Sequence, residues 1–257
     1  MAAVSLGVNS PGVVAVAIST GGTVITAATH PFLDHRVHTI CHSDPRLWIL
    51  MGASLSAGLS LSWFARNLVG KTEGIYDTLS REAEGVAAGS EGLLFTPYLC
   101  GERTPYMDAA ARGSFIGLSL RHSRAHMVRA IMEGVVFSLC ESLDIFRELG
   151  LPVDRIVCSG GGSRSPLWRQ IQADVFGMPV EWRRGDEHSA IGAALVAGMA
   201  AGRPVPHSAD GPDIRMTHPN ESAVNIYRIQ RGIFKQVYPQ ISGIFKELSE
   251  MRAETTA

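Results

Sequence analysis

Charge excess, long apolar runs and paired cysteines are all scarce in this sequence, and each scarcity excludes a class of protein. The 257 residues carry a formal net charge of −1, which gives no electrostatic case for the strongly basic face that usually binds nucleic acid. No apolar run approaches the ~20 residues of a membrane-spanning helix, and the first residues lack the basic start of a secretory signal. We therefore expect a cytoplasmic protein that binds neither nucleic acid nor membrane.

The chain has four cysteines, which are far apart and include no Cys-x-x-Cys pair. A disulfide framework is typical of short secreted chains rather than of a chain of this length. We predict that all four are free, buried thiols in a reducing compartment: Cys41, Cys100, Cys140 and Cys158.

The hydrophobic content of 46% is enough for a sizeable core, and the apolar pattern predicts both strands and helices. Two β-rich runs separated by Gly21 and Gly22 predict a hairpin over 13–28. Apolar residues at helical spacing predict a helix over 54–68 and, most strongly, one over 123–150. Strands and helices alternate through the second half, which predicts an α/β fold.

The remaining predicted elements are shorter. Further strands are expected over 37–42, 47–51, 93–95, 113–117, 155–158 and 180–182. Further helices are expected over 74–86, 165–176, 190–201 and, after a loop with Pro204, Pro206 and Pro212, over 222–252. Because proline cannot continue the hydrogen bonding of a helix, we predict a break at Pro239.

The glycine-rich turn Ser159-Gly160-Gly161-Gly162-Ser163 falls between a predicted strand and a predicted helix. Without Cβ atoms the backbone can approach a ligand closely, and a helix N-terminus suits phosphate or ribose oxygens. The turn is not a P-loop, because no Gly-Lys-Ser/Thr follows, and it lacks the Gly-x-Gly-x-x-Gly fingerprint. Taken alone, it indicates a nucleotide turn and an ordinary strand–helix turn about equally.

Two other segments can carry chemistry. The hairpin tip Ser19-Thr20-Gly21-Gly22-Thr23 can present donors to a phosphate, although an ordinary hairpin turn is the simpler interpretation. The loop over 97–112 is long, and long structured loops are uncommon without a function. Within it, Glu102 and Arg103 either order a substrate or domain interface or face solvent.

A possible metal cluster lies over 35–42, where His35, His38, Cys41 and His42 are close in sequence. Alternate residues of a strand point to opposite faces, so Cys41 cannot join His38 and His42. A structural zinc ion usually has four ligands. We therefore predict no metal site.

Six motifs occur in one order along the chain. They are Ile18-Ser19-Thr20-Gly21-Gly22-Thr23, Val37-His38-Thr39-Ile40-Cys41-His42, Leu55-Ser56-Ala57-Gly58-Leu59-Ser60-Leu61-Ser62-Trp63, Tyr98-Leu99-Cys100-Gly101-Glu102-Arg103-Thr104-Pro105, Ser159-Gly160-Gly161-Gly162-Ser163 and Ile191-Gly192-Ala193-Ala194. In this order they resemble the C-terminal domain of the FGGY carbohydrate kinases, and xylulokinases in particular. The resemblance covers roughly residues 2–201.

The resemblance implies an actin-like, ribonuclease-H-like domain with a mixed sheet flanked by helices, a single domain over 1–257. Its core is expected at about 2–201 and a terminal helical segment at about 222–252. The family's N-terminal domain, which holds most of the sugar site, is absent from this sequence, and this domain holds most of the ATP site. The resemblance also implies ATP and Mg²⁺, with the metal held mainly through the phosphates. The family's general-base aspartate falls just before Met1.

Carried over residue by residue, the resemblance implies that nine positions bind ATP: Thr20, Gly21, Gly22, Thr23, Gly58, Gly160, Gly161, Gly162 and Ser165. Glu102 and Arg103 match the family's loop beside the substrate or domain interface. The sequence departs from the family at Gly22, which stands in the place of a threonine. No residue of the chain is expected to be a catalytic base or a metal ligand.

The expected function is the ATP-binding half of a kinase that converts D-xylulose to D-xylulose 5-phosphate, inactive without the aspartate and the first domain. Another sugar of the family, such as gluconate, ribulose, rhamnulose, fuculose or glycerol, is the first alternative. A non-catalytic, actin-like binding or assembly module is the second. An exposed domain interface would also favour a homodimer, because large apolar patches seldom stay bare.

Overall fold

The computed structural model describes residues 1–71, 73–183, 187–203 and 214–255. The strands are β1 (Gly12–Ile18), β2 (Gly22–Ala28), β3 (His38–Cys41), β4 (Trp48–Ser54), β5 (Leu94–Thr96), β6 (Ser114–Ile116), β7 (Val153–Ser159), β8 (Val180–Arg183) and β9 (Ile214–Thr217). The helices are α1 (Ala2–Ser5), α2 (Gly58–Phe64), α3 (Ile75–Glu84), α4 (Arg124–Glu148), α5 (Pro166–Phe176), α6 (His188–Ala200) and α7 (Glu221–Thr255). A π-helical turn over Ala65–Val69 extends α2, and short 3₁₀ turns lie at Ser90–Gly92 and Gly161–Arg164.

The main sheet is mixed and has the order β3-β4-β2-β1-β7-β8-β9. Strand β1 pairs with β2 antiparallel and with β7 parallel, while β7 pairs with β8 parallel. Strands β5 and β6 form a separate two-stranded ribbon. Parallel strands joined through helices are the mark of an α/β fold, so the predicted fold class is confirmed.

The two faces of the main sheet are covered unequally. Alternate residues of β1, such as Val14 and Val16, join the large core that includes α2, α3, α4, α5 and α7. Ala15 points the other way, into a small cluster with Ala3 and Leu6 of the α1 segment. Helix α6 lies against α1, where Ser5 Oγ donates to His188 O at 2.7 Å. The buried helix α4 is the centre of the larger core.

The predicted break at Pro239 is wrong, because α7 runs through it without interruption. Proline lacks an N–H donor, but it is tolerated here because apolar packing on both sides stabilises the helix. Phe234 and Phe245, on either side of Pro239, are both buried in the large core. Helix α1 and strand β9 were not predicted from the sequence, and α2 begins four residues later than predicted.

The prediction that all four thiols are buried is wrong for two of them. All four cysteines are free, but only Cys140 and Cys158 are buried, while Cys41 and Cys100 are exposed. Cys41 is exposed at the end of β3, which lies at the edge of the sheet that the described residues form. No described helix is long and apolar enough to cross a membrane. The predicted loop with Pro204, Pro206 and Pro212 lies outside the described residues.

Candidate functional site

Two turns that are about 140 residues apart in sequence meet at the C-terminal ends of the central strands β1 and β7. Because β1 runs parallel to β7, with Ala17 beside Ser159, the hairpin tip after β1 lies next to the glycine turn after β7. Gly160 has a φ of +80°, and a Cβ atom there would lie 2.5 Å from Ile18 O. Both the backbone conformation and this close contact therefore require glycine.

The start of α2 lies on the hairpin tip. Gly58 N donates to Ser19 O at 2.7 Å, and Leu59 N donates to Thr20 O at 3.0 Å. A Cβ atom at Gly58 would collide with Ser19 O. The first N–H groups of α2 are thus bound by the protein itself, and Gly58 permits the close approach.

These segments and α3 surround a cleft of about 460 Å³, which lies in the ~300–1,000 Å³ range typical of small-molecule sites. Its floor is apolar and consists of Ile18, Leu61, Met132 and Trp168. The indole of Trp168 is held in place because its Nε1 donates to Met132 O at 3.1 Å. A flat, apolar group such as a purine base suits this floor.

The rim of the cleft is polar. Tyr76 OH donates to Ser62 Oγ at 3.2 Å, and the hydroxyls of Ser80 and Ser165 lie 2.8 Å apart. Ser165 also caps α5 by accepting from Trp168 N at 3.2 Å. The charged rim residues are Asp77 and Arg164.

Five of the nine predicted ATP-binding residues line this cleft: Thr20, Gly58, Gly161, Gly162 and Ser165. The other four lie behind or beside it: Gly21, Gly22, Thr23 and Gly160. Gly22 packs against α4, because a Cβ atom there would lie 2.6 Å from Leu139 Cδ2. Gly21 faces the end of β4, where a Cβ atom would lie 2.8 Å from Ser54 O.

Neighbouring glycines of the turn have different surroundings. A Cβ atom at Gly162 would lie 2.5 Å from Ile18 Cγ2 and 3.2 Å from Trp168 Cε3, so packing requires glycine there. Gly161 is exposed, and a Cβ atom there would meet nothing within 4 Å. The described residues therefore do not require glycine at 161, although Gly161 lines the cleft.

Helix α3 forms a wall of the cleft that was not predicted from the sequence, and it contributes Tyr76, Asp77 and Ser80. Its polar pattern predicted only a surface helix. These residues reach the cleft because α3 packs on α4. A contact between two helices cannot be predicted from a local sequence motif.

Glu102 lies outside the cleft and is 2% exposed. Its carboxyl group accepts hydrogen bonds from Ser54 Oγ, Leu55 N, Arg103 N and Ser138 Oγ at 2.8–3.3 Å. Burial raises the pKa of Glu102 to about 7, although these donors act in the opposite direction. The side chain thus connects its loop with the end of β4 and with α4.

Arg103 is exposed and lines a shallow depression with His38 and Met51, away from the cleft. His42 of the same segment is buried, with its Nε2 3.0 Å from Val8 O and its Nδ1 accepting from Asp44 N. Among the described residues, no group of three or more acidic, histidine or cysteine side chains is placed to hold a metal ion.

Comparison with known proteins identifies relatives over nearly the whole chain. The family model "FGGY family of carbohydrate kinases, C-terminal domain" matches residues 14–201. A xylulose kinase of Bacillus subtilis (strain 168) is 39% identical over 202 residues, which are 78% of this chain and 40% of the relative. A gluconokinase of the same organism is 34% identical over 245 residues, 90% of this chain and 48% of the relative.

A solved structure of xylulose kinase from Rhodospirillum rubrum has a TM-score of 0.86 and 29% identity, covering 95% of this chain and 50% of that one. This likeness confirms the predicted actin-like, ribonuclease-H-like architecture, a mixed sheet flanked by helices. The chain spans about half the length of the relatives that it matches.

Proposed function

The chain belongs to the FGGY family of carbohydrate kinases, and on that premise we propose that it is the ATP-binding half of a cytoplasmic kinase for D-xylulose. The observation that carries the proposal is the cleft at the C-terminal ends of β1 and β7, where the hairpin tip, α2 and the glycine turn come together. The similarity to xylulose kinases supports the choice of sugar. A gluconokinase is nearly as similar, so gluconate is the second candidate.

The nucleotide would lie with its base on the apolar floor and its phosphates toward the hairpin tip. Ser80 and Ser165 supply hydroxyls at the base end. At the other end, the N–H groups of Thr20 and Gly21 donate no hydrogen bond to any described residue. Free N–H groups at a tight turn are typical phosphate donors.

Mg²⁺ would enter this cleft bound to the phosphates of ATP. Among the described residues that line the cleft, Asp77 alone carries a carboxylate, and it lies on α3 with Tyr76 and Ser80, at the base end. A magnesium ion usually keeps few protein ligands and binds substrate phosphates. When bound, the ion would supply charge neutralisation for phosphoryl transfer.

We further propose that a second, sugar-binding domain packs on α6. The thirteen residues His188–Ala200 include no acidic or basic residue except His188, yet Ile191 and Met199 are exposed. A helix that is apolar all round is normally buried. Beside α6 lies a groove of about 590 Å³ lined by Val196 and Met199. The relatives are about twice as long as this chain, which leaves room for such a domain.

The test is calorimetric titration of the chain with MgATP, using Gly161→Ala and Gly85→Ala as a matched pair. Gly161 lines the cleft, and a Cβ atom there would meet no described atom within 4 Å. We therefore expect the methyl group to occupy space that the nucleotide needs, so that MgATP binding weakens about 10-fold or more without a change in melting temperature. Gly85 lies at the exposed end of α3 with a φ of −72°, so alanine there should alter neither. Equal binding by all three chains would contradict the nucleotide site.

A second measurement addresses the reaction. The purified chain alone should not convert D-xylulose and ATP to D-xylulose 5-phosphate and ADP, because the family's base and sugar contacts belong to the other domain. Addition of that domain as a separate polypeptide should produce turnover. Turnover by the chain alone would contradict the proposal that the base and the sugar contacts belong to the other domain. Nucleotide binding without turnover in the mixture of the two polypeptides would favour the binding-module alternative.

A further inference from the structure

Arg169 connects the glycine turn of the cleft with the layer of structure behind it. It lies near the start of α5 and is 7% exposed. Its Nη1 atom donates to two consecutive carbonyl oxygens, Ser163 O at 2.6 Å and Arg164 O at 3.0 Å. Both carbonyls belong to the short 3₁₀ turn Gly161–Arg164, and Arg169 is not among the residues that line the cleft. One guanidinium group therefore holds the turn from outside the cleft.

The guanidinium group of Arg169 is itself held against an aromatic ring. Its Cζ atom lies 4.6 Å from the centroid of the Trp182 ring, within the ~6 Å at which a cation is attracted to the face of an indole. Trp182 lies on β8 beside Cys158 of β7, and Gly160 of the glycine turn follows Cys158 by two residues. The pairing of β7 with β8 therefore places the ring, and through it Arg169, next to the turn.

The surroundings of Arg169 are unfavourable for a cation. Among the described residues no carboxylate pairs with Arg169, and its buried Nε meets no hydrogen-bond acceptor. A second guanidinium group, that of the exposed Arg215, lies 5.5 Å from the same ring. Burial, together with the charge of Arg215, lowers the pKa of Arg169. Because a buried charge without a counter-ion reduces the stability of a fold, stability does not account for this arginine, whereas such groups are typical of functional sites.

We propose that Arg169 is a positioning residue of the cleft, which fixes the glycine turn in the shape that receives a nucleotide. The identity of that ligand rests on the proposed function, whereas the contact of Arg169 with the turn does not. Three consecutive glycines precede the held carbonyls, and glycine loses more conformational freedom on ordering than any other residue. A turn that is already ordered binds a ligand more tightly, because binding does not then cost that entropy. Gly161, which lines the cleft and has no atom within 4 Å of its Cβ position, depends most on such a hold.

Arg215 provides a matched control, because it is a second guanidinium group beside the same ring. Among the described residues, no hydrogen bond joins it to the carbonyls that Arg169 holds. If positive charge near Trp182 attracted the phosphates of a nucleotide, both arginines would contribute to binding. If the contact with the carbonyls is the cause, Arg169 alone contributes. Arg215→Gln should therefore bind MgATP as wild type does.

The test combines calorimetric titration with MgATP and amide hydrogen exchange of the segment 160–165. Arg169→Ala should bind MgATP roughly 10- to 100-fold more weakly, as expected for the loss of hydrogen bonds from a charged donor, and its turn should exchange faster. Guanidinium ion, added below the concentrations that unfold the chain, should restore both properties, because the Trp182 ring and the two carbonyls remain to bind it. Sodium chloride at equal ionic strength should restore neither.

Arg169→Lys is the second variant, and it carries the same test if Arg169→Ala does not fold. It keeps the positive charge but has no planar group to stack on Trp182. Its MgATP affinity and its exchange rates should therefore lie between those of wild type and those expected for Arg169→Ala. Values equal to those of wild type would show that the charge alone is sufficient and would contradict the role of the guanidinium group.

Three results would overturn the inference. The first is an Arg169→Ala chain that binds MgATP as wild type does or whose turn exchanges no faster. The second is an equal loss of binding in Arg215→Gln, because the charge near the ring would then be the cause. The third is a loss in Arg169→Ala that guanidinium ion does not restore, which would assign Arg169 to the fold alone. A wild-type chain that does not bind MgATP would contradict the proposed function instead, and the exchange of the turn with and without guanidinium ion would then decide whether Arg169 orders it.

Discussion

Replacement of Glu102 by glutamine isolates the energetic effect of one buried carboxyl group. Glu102 accepts two backbone N–H groups, from Leu55 and Arg103, at one oxygen, and its other oxygen contacts the hydroxyls of Ser54 and Ser138. A glutamine side chain satisfies the same partners, because its carbonyl oxygen accepts the two N–H groups and its amide donates to the two hydroxyls. Glu102→Gln therefore removes the negative charge with little change in packing.

The size of the effect follows from the pKa of Glu102, which burial raises from 4.5 to about 7. Between these values the folded chain keeps a proton that the unfolded chain has released, so the stability of the fold decreases as the pH rises through this window. The decrease amounts to about 3 kcal/mol, since one pKa unit corresponds to about 1.4 kcal/mol. Glu102→Gln has no such proton to lose. It should therefore be more stable than wild type by about 3 kcal/mol at pH 8 and similar to it at pH 4.5.

Urea unfolding of both chains at several pH values between 4.5 and 8 tests this reasoning. Other buried acids also titrate, among them Glu133 and Glu141, whose pKa values burial raises. Both chains contain these acids, so their titration is common to the two and drops out of the difference. The pH-dependent difference is therefore assigned to Glu102. A difference that stays constant with pH would refute the raised pKa, and a variant less stable than wild type at pH 8 would show that the charge itself is favourable.

Two further predictions concern the core. Glu133 is 1% exposed and accepts from Arg129 Nε at 2.7 Å. Glu133→Ala leaves the buried guanidinium without this carboxylate, with Tyr227 OH as a remaining partner, and should lower the free energy of unfolding by about 3–5 kcal/mol in urea. A loss below about 1 kcal/mol would show that water replaces the carboxylate. A thiol reagent should label the two exposed cysteines of the folded chain and all four after unfolding. Rapid labelling of more than two thiols in the folded chain would contradict the burial of Cys140 and Cys158.

The features that could be predicted from the sequence are those that depend on neighbouring residues. The hairpin and the glycine turn are local, because glycine's freedom and the apolar runs around it suffice to define them. The wall formed by Tyr76, Asp77 and Ser80 depends instead on the contact of α3 with α4, which no short-range pattern encodes. Pro239 was misjudged for the same reason, because tertiary packing stabilises a helix that the local propensity of proline would end.

Ile18 explains why the hairpin and the glycine turn form one site. Its carbonyl oxygen lies against Gly160, its side chain lies against Gly162, and it also forms part of the floor of the cleft. Ile18 is the last residue of β1, and the pairing of β1 with both β2 and β7 fixes its position. A shift of one residue in the register of β1 would turn Ile18 to the other face of the sheet and would leave both glycines without the contact that requires them. The shape of the cleft therefore depends on the register of the sheet, and the glycines are needed because that register brings Ile18 so close to them.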